Sequence, residues 1–176
     1  IKKLKDFVGR ENDIRNVIRD ILELPKSKEV YTILGSGGIG KTTLLRKVVQ
    51  ELSIRAKYID GIQFVDCEFL KDYIDFEQKI SIAFDMTNAL NFKTQLEEQK
   101  ETHRLIILDN VETLLYVERS SDIEEIKELI DFISEYSTIV ITSREKLDNG
   151  NEKLYPLTDL QIDNDELIFM STVCGG

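Results

Sequence analysis

The chain has 176 residues, of which 41% are hydrophobic and 32% charged, enough for one domain with a sizeable core. Against 33 Asp and Glu there are 23 Lys and Arg, and the net charge of −10 argues against direct binding of a nucleic-acid backbone. No apolar run approaches the roughly 18 residues of a membrane span, and the two cysteines, far apart at Cys67 and Cys174, are typical of reduced thiols in a cytoplasmic protein.

The predicted elements alternate between helices and strands. Apolar residues at helical spacing predict a first helix over 11–24, capped by Asn12 or Asp13 and ended by Pro25. Further predicted helices cover 41–52, 76–84, 89–100, 113–117 and 123–136, and predicted strands cover 30–35, 58–66, 104–109, 137–143 and 153–157. This alternation predicts a parallel α/β sheet flanked by helices.

Both ends of the sequence suggest that it continues further. It begins with Ile1 rather than Met, and a new helical pattern over 163–170 stops shortly before Gly176. We therefore expect the sequence to be a piece of a longer protein.

A phosphate-binding loop is predicted between the strand over 30–35 and the helix that begins at Lys41. The segment GSGGIGKT fills every fixed position of the pattern G-x-x-x-x-G-K-[ST]. The glycines that let backbone N–H groups converge on a phosphate are Gly35, Gly37, Gly38 and Gly40. Lys41 can neutralise β- and γ-phosphate oxygens, and the Thr42 hydroxyl can bind Mg²⁺. The helix N-terminus favours the same anion.

The apolar run LIILD ends in a candidate metal ligand, Asp109. A single Asp in this position is usually a turn residue, but the phosphate-binding loop upstream makes a role in holding Mg²⁺ the better interpretation. The next residue, Asn110, cannot take up a proton from water. Glu112 is the nearest carboxylate to act as a base, although a first-turn residue favoured by the helix dipole is an equal alternative.

The strand STIVITS also ends in polar residues. Thr142 or Ser143 can orient water or a γ-phosphate, and Arg144 can pair with phosphate. An arginine after a strand is more often a surface residue, so spacing alone leaves Arg144 unassigned.

Taken in order, these motifs resemble those of the NB-ARC or STAND-type signalling NTPases, a family that includes many bacterial regulators. The matching segments are FVGRENDI, GSGGIGKTTL, LIILDNVE, TIVITSRE and the connector LYPLTDLQIDNDELIFM. The resemblance spans residues 7–170, and Asn110 departs from it where many members have a second Asp. The first four of these segments are the family's motifs, and their occurrence in the family's order is more specific than any one of them.

The resemblance implies a RecA-like (ASCE) P-loop core of five parallel strands, with the strand before Arg144 between those before Gly35 and Asp109. Residues 1–160 would form the nucleotide-binding domain and 161–176 the start of a truncated helical subdomain. The implied ligands are ATP or ADP with Mg²⁺, held by Thr42 and Asp109. The implied nucleotide-binding set is Phe7, Val8, Arg10, Gly35, Ser36, Gly37, Gly38, Ile39, Gly40, Lys41, Thr42, Thr43 and Arg144. Within it, Phe7 and Val8 would lie near adenine, and Arg144 would sense the γ-phosphate; the candidate catalytic residues are Lys41, Asp109, Glu112 and Arg144.

The function that the resemblance implies is a switch. ADP would hold a closed form of the parent protein, and ATP would favour an open form that forms homo-oligomers and acts through further domains of the parent chain. We expect the chain alone to bind nucleotide less tightly than its parent and not to switch by itself.

Three alternatives remain open from the residues. An AAA+ or initiator-type ATPase acting on DNA or protein would favour a glutamate at 110, a phosphotransferase would favour an arginine-rich lid, and a binding module without turnover is compatible with Asn110. GTP is disfavoured because the sequence lacks an Asn-Lys-x-Asp run to read guanine.

Overall fold

The computed structural model describes residues 10–24, 29–55, 58, 60–86, 91–99 and 103–159. The predictions for Phe7, Val8 and Pro25, and for the segment 161–176, therefore lie outside the described residues. No helix in the described part is long and apolar enough to cross a membrane.

A five-stranded sheet organises the described residues, with strand order β2-β3-β4-β1-β5 and parallel pairing throughout. The strands are β1 (Val30–Leu34), β2 (Ile62–Asp66), β3 (Leu105–Asp109), β4 (Thr138–Ser143) and β5 (Glu152–Pro156). β4 lies between β1 and β3, as the resemblance implied. The prediction of a RecA-like α/β fold is confirmed.

Helices connect the strands and cover both faces of the sheet. They are α1 (Glu11–Glu23), α2 (Lys41–Ile54), α3 (Tyr73–Ala83), α4 (Phe92–Glu98), a 3₁₀ helix (Val111–Tyr116) and α5 (Ser120–Ser134). Alternate residues of β3 enter opposite cores: Ile106 packs in the cluster with α3, α4 and α5, whereas Ile107 packs in the cluster with α1 and α2. Burial on both faces explains why this strand is a continuous apolar run.

Two local predictions were wrong. Arg10, not Asn12 or Asp13, is the N-cap residue of α1, because the amide of Ile14 already bonds to the carbonyl of Arg10 and Asp13 lies in the first turn. β2 is shorter than the predicted 58–66, because the Gly61 amide bonds back to the Tyr58 carbonyl and Gly61 has a φ of 106°, which closes a turn.

Candidate functional site

The carboxyl ends of β1, β3 and β4 bring the predicted motifs to one edge of the sheet. Leu34 pairs with Ser143, and Leu108 pairs with Ile141, so Asp109 emerges beside Thr142. The amide of Gly35 donates to the carbonyl of Ser143 at 3.1 Å, which ties the start of the phosphate-binding loop to the end of β4. Ligand sites in parallel α/β sheets form at this edge.

The phosphate-binding loop turns sharply into α2. Gly38 and Gly40 have φ values of 76° and 96°, a conformation that only glycine adopts without strain, and Gly40 is the N-cap of α2. Lys41 is buried, and its Nζ donates to the carbonyls of Gly35 (2.6 Å) and Ser36 (2.9 Å). Burial lowers the pKa of the Lys41 ammonium, Arg144 adds to this effect, and Glu112 and Asp109 oppose it. The loop thus encloses the Lys41 ammonium at a position where it can bind an anionic ligand.

Asp109 is a buried carboxylate that accepts hydrogen bonds from three neighbours. The Thr42 hydroxyl donates to its Oδ2 at 2.9 Å, the Thr142 hydroxyl donates to its Oδ1, and the Asn110 side-chain amide donates at 3.3 Å. The Asn110 backbone amide in turn donates to the Thr142 hydroxyl at 2.9 Å. Thr142 therefore contacts Asp109 directly, a contact that the sequence analysis did not predict. The prediction that Thr142 or Ser143 orients water or a γ-phosphate stays a prediction.

The donor set fits a magnesium ion. Mg²⁺ prefers oxygen ligands and is usually bound through one or two carboxylates together with substrate phosphates. The Thr42 hydroxyl and the Asp109 carboxylate already lie within hydrogen-bonding distance of each other beside the phosphate-binding loop. These two residues would hold the ion, which would supply charge neutralisation on the phosphates.

Glu112 and Arg144 form an ion pair next to this site. Arg144 Nε lies 3.5 Å from Glu112 Oε1; the Glu112 side chain is 12% exposed and the Arg144 side chain 62%. Glu112 lies in the 3₁₀ helix that starts after Asn110, whose φ of 59° turns the chain back toward the site. Glu112 is therefore largely buried beside the site, and its role as base or as first-turn residue stays a prediction.

Arg10 joins the phosphate-binding loop to two other segments. Its guanidinium donates to the carbonyls of Ile39 (3.0 Å) and Thr158 (2.6 Å) and pairs with Asp13 at 3.2 Å. The side chain is buried. Arg10 thus lies against the phosphate-binding loop, and its described contacts are to protein carbonyls and one carboxylate. Its predicted position near the nucleotide stays a prediction.

Replacing Arg10 with alanine is expected to lower the free energy of unfolding by about 1–2 kcal/mol, because the carbonyls of Ile39 and Thr158 lose a charged donor. Nucleotide affinity should fall about fivefold as the loop loses this support. Thermal unfolding and nucleotide titration measure both effects, with Arg15→Ala, an exposed arginine of the same helix, as the control. Equal stability of the two variants would contradict the supporting role.

A cleft of about 1240 Å³ opens beside the Glu112–Arg144 pair. Its walls come from side chains within the segments 68–74 and 110–125 and from Arg144 and Glu145. Glu112 and Arg144 both line this cleft.

Three further predicted nucleotide-binding residues lie in the loop or at the start of α2. Ser36 and Gly37 lie in the loop, and Thr43 is exposed in the first turn of α2. The roles of the predicted site residues remain predictions. What the sequence did not indicate is the hydrogen-bond network around Thr142, although two neighbouring parallel strands that both end in polar residues are a signal for it.

A protein-family model described as AAA domain matches residues 23–147. Among curated proteins, a disease resistance protein of Arabidopsis thaliana, CHL1, is 25% identical over 164 residues, covering 87% of this chain and 33% of that protein. An uncharacterised WD repeat-containing protein of Nostoc sp. is 28% identical over 163 residues, which cover 80% of this chain and 13% of that one. The chain thus spans only a minor part of these relatives.

Solved structures share the fold. Cdc6p of Pyrobaculum aerophilum aligns with a TM-score of 0.60 at 13% identity, covering 93% of this chain and 48% of that one. The ORC1 protein of Aeropyrum pernix, solved in complex with DNA, has a TM-score of 0.59 at 18% identity and the coverages are 93% and 49%. A signal transduction ATPase with numerous domains (STAND) from Pyrococcus horikoshii has a TM-score of 0.50 at 16% identity, with coverages of 94% and 25%. At these identities the likeness concerns the fold alone.

Proposed function

This chain belongs to the AAA domain family, and from that premise we propose that it is the nucleotide-binding switch domain of a larger STAND-type signalling protein. It would bind Mg²⁺ with ATP or ADP, hydrolyse ATP slowly or not at all, and control homo-oligomerisation of its parent protein in the cytoplasm. The observation that carries this proposal is the arrangement at the end of β3, where Asp109 is followed by Asn110 and the next carboxylate along the chain, Glu112, is paired with Arg144.

The chemistry follows from these side chains. Lys41 and the loop amides would hold the phosphates, and Thr42 and Asp109 would hold the metal. Asn110 offers an amide where a base is needed, and an amide does not accept a proton from water. Glu112 can accept one only when its carboxylate is not engaged by Arg144. Binding without rapid turnover is the behaviour that suits a switch.

The second candidate is an active ATPase of the AAA+ or initiator type that acts on DNA or protein. The observation in its favour is the placement of Glu112 at the site, since a carboxylate there can activate water. The acidic charge of the chain, −10, argues against direct contact with DNA, and an acidic protein needs a localised basic surface to bind it.

Nucleotide content and turnover distinguish the candidates. The chain is purified, denatured to release any bound nucleotide, and then titrated with ATP, ADP and GTP in Mg²⁺ while phosphate release is followed. We expect adenine nucleotides to bind, GTP to bind at least about tenfold more weakly, and turnover to stay well below the roughly 1 s⁻¹ at the lower end of ordinary enzymes. Turnover above that rate would favour the ATPase, and failure of every nucleotide to bind would contradict both.

A further inference from the structure

Glu112 carries an unusual combination of burial and incomplete pairing. One carboxylate oxygen, Oε1, meets Arg144, whereas Oε2 is buried and has no hydrogen-bond partner among the described residues. A buried carboxylate oxygen without a partner is costly, because it has lost its hydration and gained nothing in exchange. While Arg144 holds the carboxylate in this position, Oε2 is out of reach of solvent, so Glu112 can accept a water only after its side chain moves.

Arg144 touches the phosphate-binding loop as well as Glu112. A Cβ atom built on Gly37 would lie 2.4 Å from Nη2 of Arg144 and 2.6 Å from its Cζ, so the guanidinium fills the space over this glycine. Glycine at position 37 thus permits the arginine to lie across the loop. The same side chain lies within reach of a terminal phosphate held by that loop and of the Glu112 carboxylate.

A terminal phosphate and Glu112 compete for this one guanidinium. A phosphate offers more negative charge than a carboxylate and binds arginine bidentately. The single contact of 3.5 Å to Glu112 is longer than a good charge-assisted hydrogen bond, so it is the weaker of the two pairings. The 62% exposure of Arg144 leaves it free to change rotamer.

We propose that the Glu112–Arg144 pair is a gate that the γ-phosphate opens, an inference that rests on the proposed nucleotide-binding function. With ADP, Arg144 stays on Glu112 and the carboxylate is engaged. With ATP, Arg144 moves to the γ-phosphate and Glu112 is released. In the reaction that follows, a bond forms between water oxygen and the γ-phosphorus, the bond from that phosphorus to the β,γ-bridging oxygen breaks, and the water proton passes to Glu112 and then to solvent or phosphate.

The gate predicts how the pair affects discrimination between ATP and ADP. Because ATP must break the ion pair, Glu112→Gln is expected to raise the ratio of ATP to ADP affinity about fivefold, the scale of a half-exposed ion pair. Arg144→Ala is expected to bring the ratio close to one. In the Arg144→Ala background, Glu112→Gln should no longer change the ratio, since the partner it releases is gone.

The experiment is a double-mutant cycle on this chain, with ATP and ADP affinities measured in Mg²⁺ for the four proteins. Glu145→Gln and Lys146→Ala, exposed neighbours with the same changes of charge, are the controls and should leave the ratio within about twofold. If Glu112→Gln unfolds the protein, Glu112→Asp retains the charge but shortens the reach to Arg144, and it should raise the ratio by a smaller factor. The ratio is informative because damage to the fold lowers both affinities together.

Two results would overturn the gate. One is a ratio that Glu112→Gln leaves unchanged while Arg144→Ala lowers it, which would make Arg144 a sensor independent of Glu112. The other is an equal effect of Glu112→Gln with and without Arg144. Wild-type protein that binds neither nucleotide would instead refute the proposed function on which the gate rests, and it is recognised before any variant is compared.

Discussion

Lys41→Ala is expected to lower the affinity for ATP and for ADP by at least about 100-fold. The Lys41 ammonium is buried under the loop, and its present acceptors are two backbone carbonyls, Gly35 and Ser36, at 2.6 and 2.9 Å. A phosphate in the loop would replace these neutral acceptors with anionic oxygens, and a charged hydrogen bond of this kind contributes about 1.5–3 kcal/mol. Two such bonds account for the expected loss.

The measurement is calorimetric titration of both nucleotides, with thermal unfolding as a check of the fold. Arg46→Ala removes an exposed positive charge from the same helix and serves as the control, with affinity within about twofold of wild type. Nucleotide affinity of Lys41→Ala within about fivefold of wild type would refute the assignment of this loop as the phosphate site.

Lys41 and its loop illustrate which features of the site can be predicted from the sequence and which cannot. The glycine and lysine spacing, together with a predicted strand before it and a predicted helix after it, indicates a phosphate-binding loop. The φ of 96° at Gly40 agrees with that prediction, because few residues other than glycine adopt it. The burial of Lys41 and the direction of its pKa shift depend on the three-dimensional environment, in which Glu112, Asp109 and Arg144 converge from distant segments. The sequence identifies the individual motifs, and the strand register across β1, β3 and β4 places them next to one another.

The order of strands could be predicted only through a family resemblance. Alternating helices and strands indicate a parallel sheet, but several strand orders satisfy that pattern. That β4 lies between β1 and β3 came from the motifs, and the pairing of Ile33 with Thr142 confirms this neighbourhood. Without that strand order, nothing in the sequence predicts that Thr142 and Asp109 lie close together.

Local errors in the sequence prediction have physical causes. Asn12 and Asp13 were predicted as caps because short polar side chains commonly accept from the first amides of a helix. In the structure Asp13 instead accepts from the hydroxyl of Tyr155 at 2.6 Å and pairs with Arg10. The side chain that was predicted to cap the helix thus binds Tyr155 of β5 instead. Sequence periodicity does not reveal such a tertiary contact.

The Glu112–Arg144 pair also relates the two functional candidates to each other. A switch and a slow ATPase differ in how often Glu112 is free to accept a proton, rather than in which residues are present. Asn110 does not offer a base at the position after Asp109, and Arg144 pairs at 3.5 Å with Glu112, the next carboxylate along the chain. In the proposed gate, turnover would then depend on how long Arg144 stays on the γ-phosphate.

Asp109→Asn is expected to lower the affinity for ATP in Mg²⁺ by about 30-fold, equivalent to ~2 kcal/mol, while affinity in EDTA stays within about twofold. Asp109 holds the only charge in a network of hydroxyl and amide donors from Thr42, Thr142 and Asn110. An asparagine retains the shape but offers a neutral, weaker ligand to a divalent ion. The effect should therefore depend on the metal and not on the phosphates alone.

Asp66→Asn provides a closely matched control for this prediction. Asp66 pairs in register with Asp109 on the neighbouring strand and is exposed, so the same change of charge occurs at the same edge of the sheet without touching Thr42. Titrations of ATP with Mg²⁺ and with EDTA, on wild type and both variants, separate the metal contribution from general electrostatics. If Asp109→Asn weakened ATP binding equally with Mg²⁺ and with EDTA, Asp109 would support the loop instead of holding the ion. The assignment of Thr42 and Asp109 as the metal site would then be refuted.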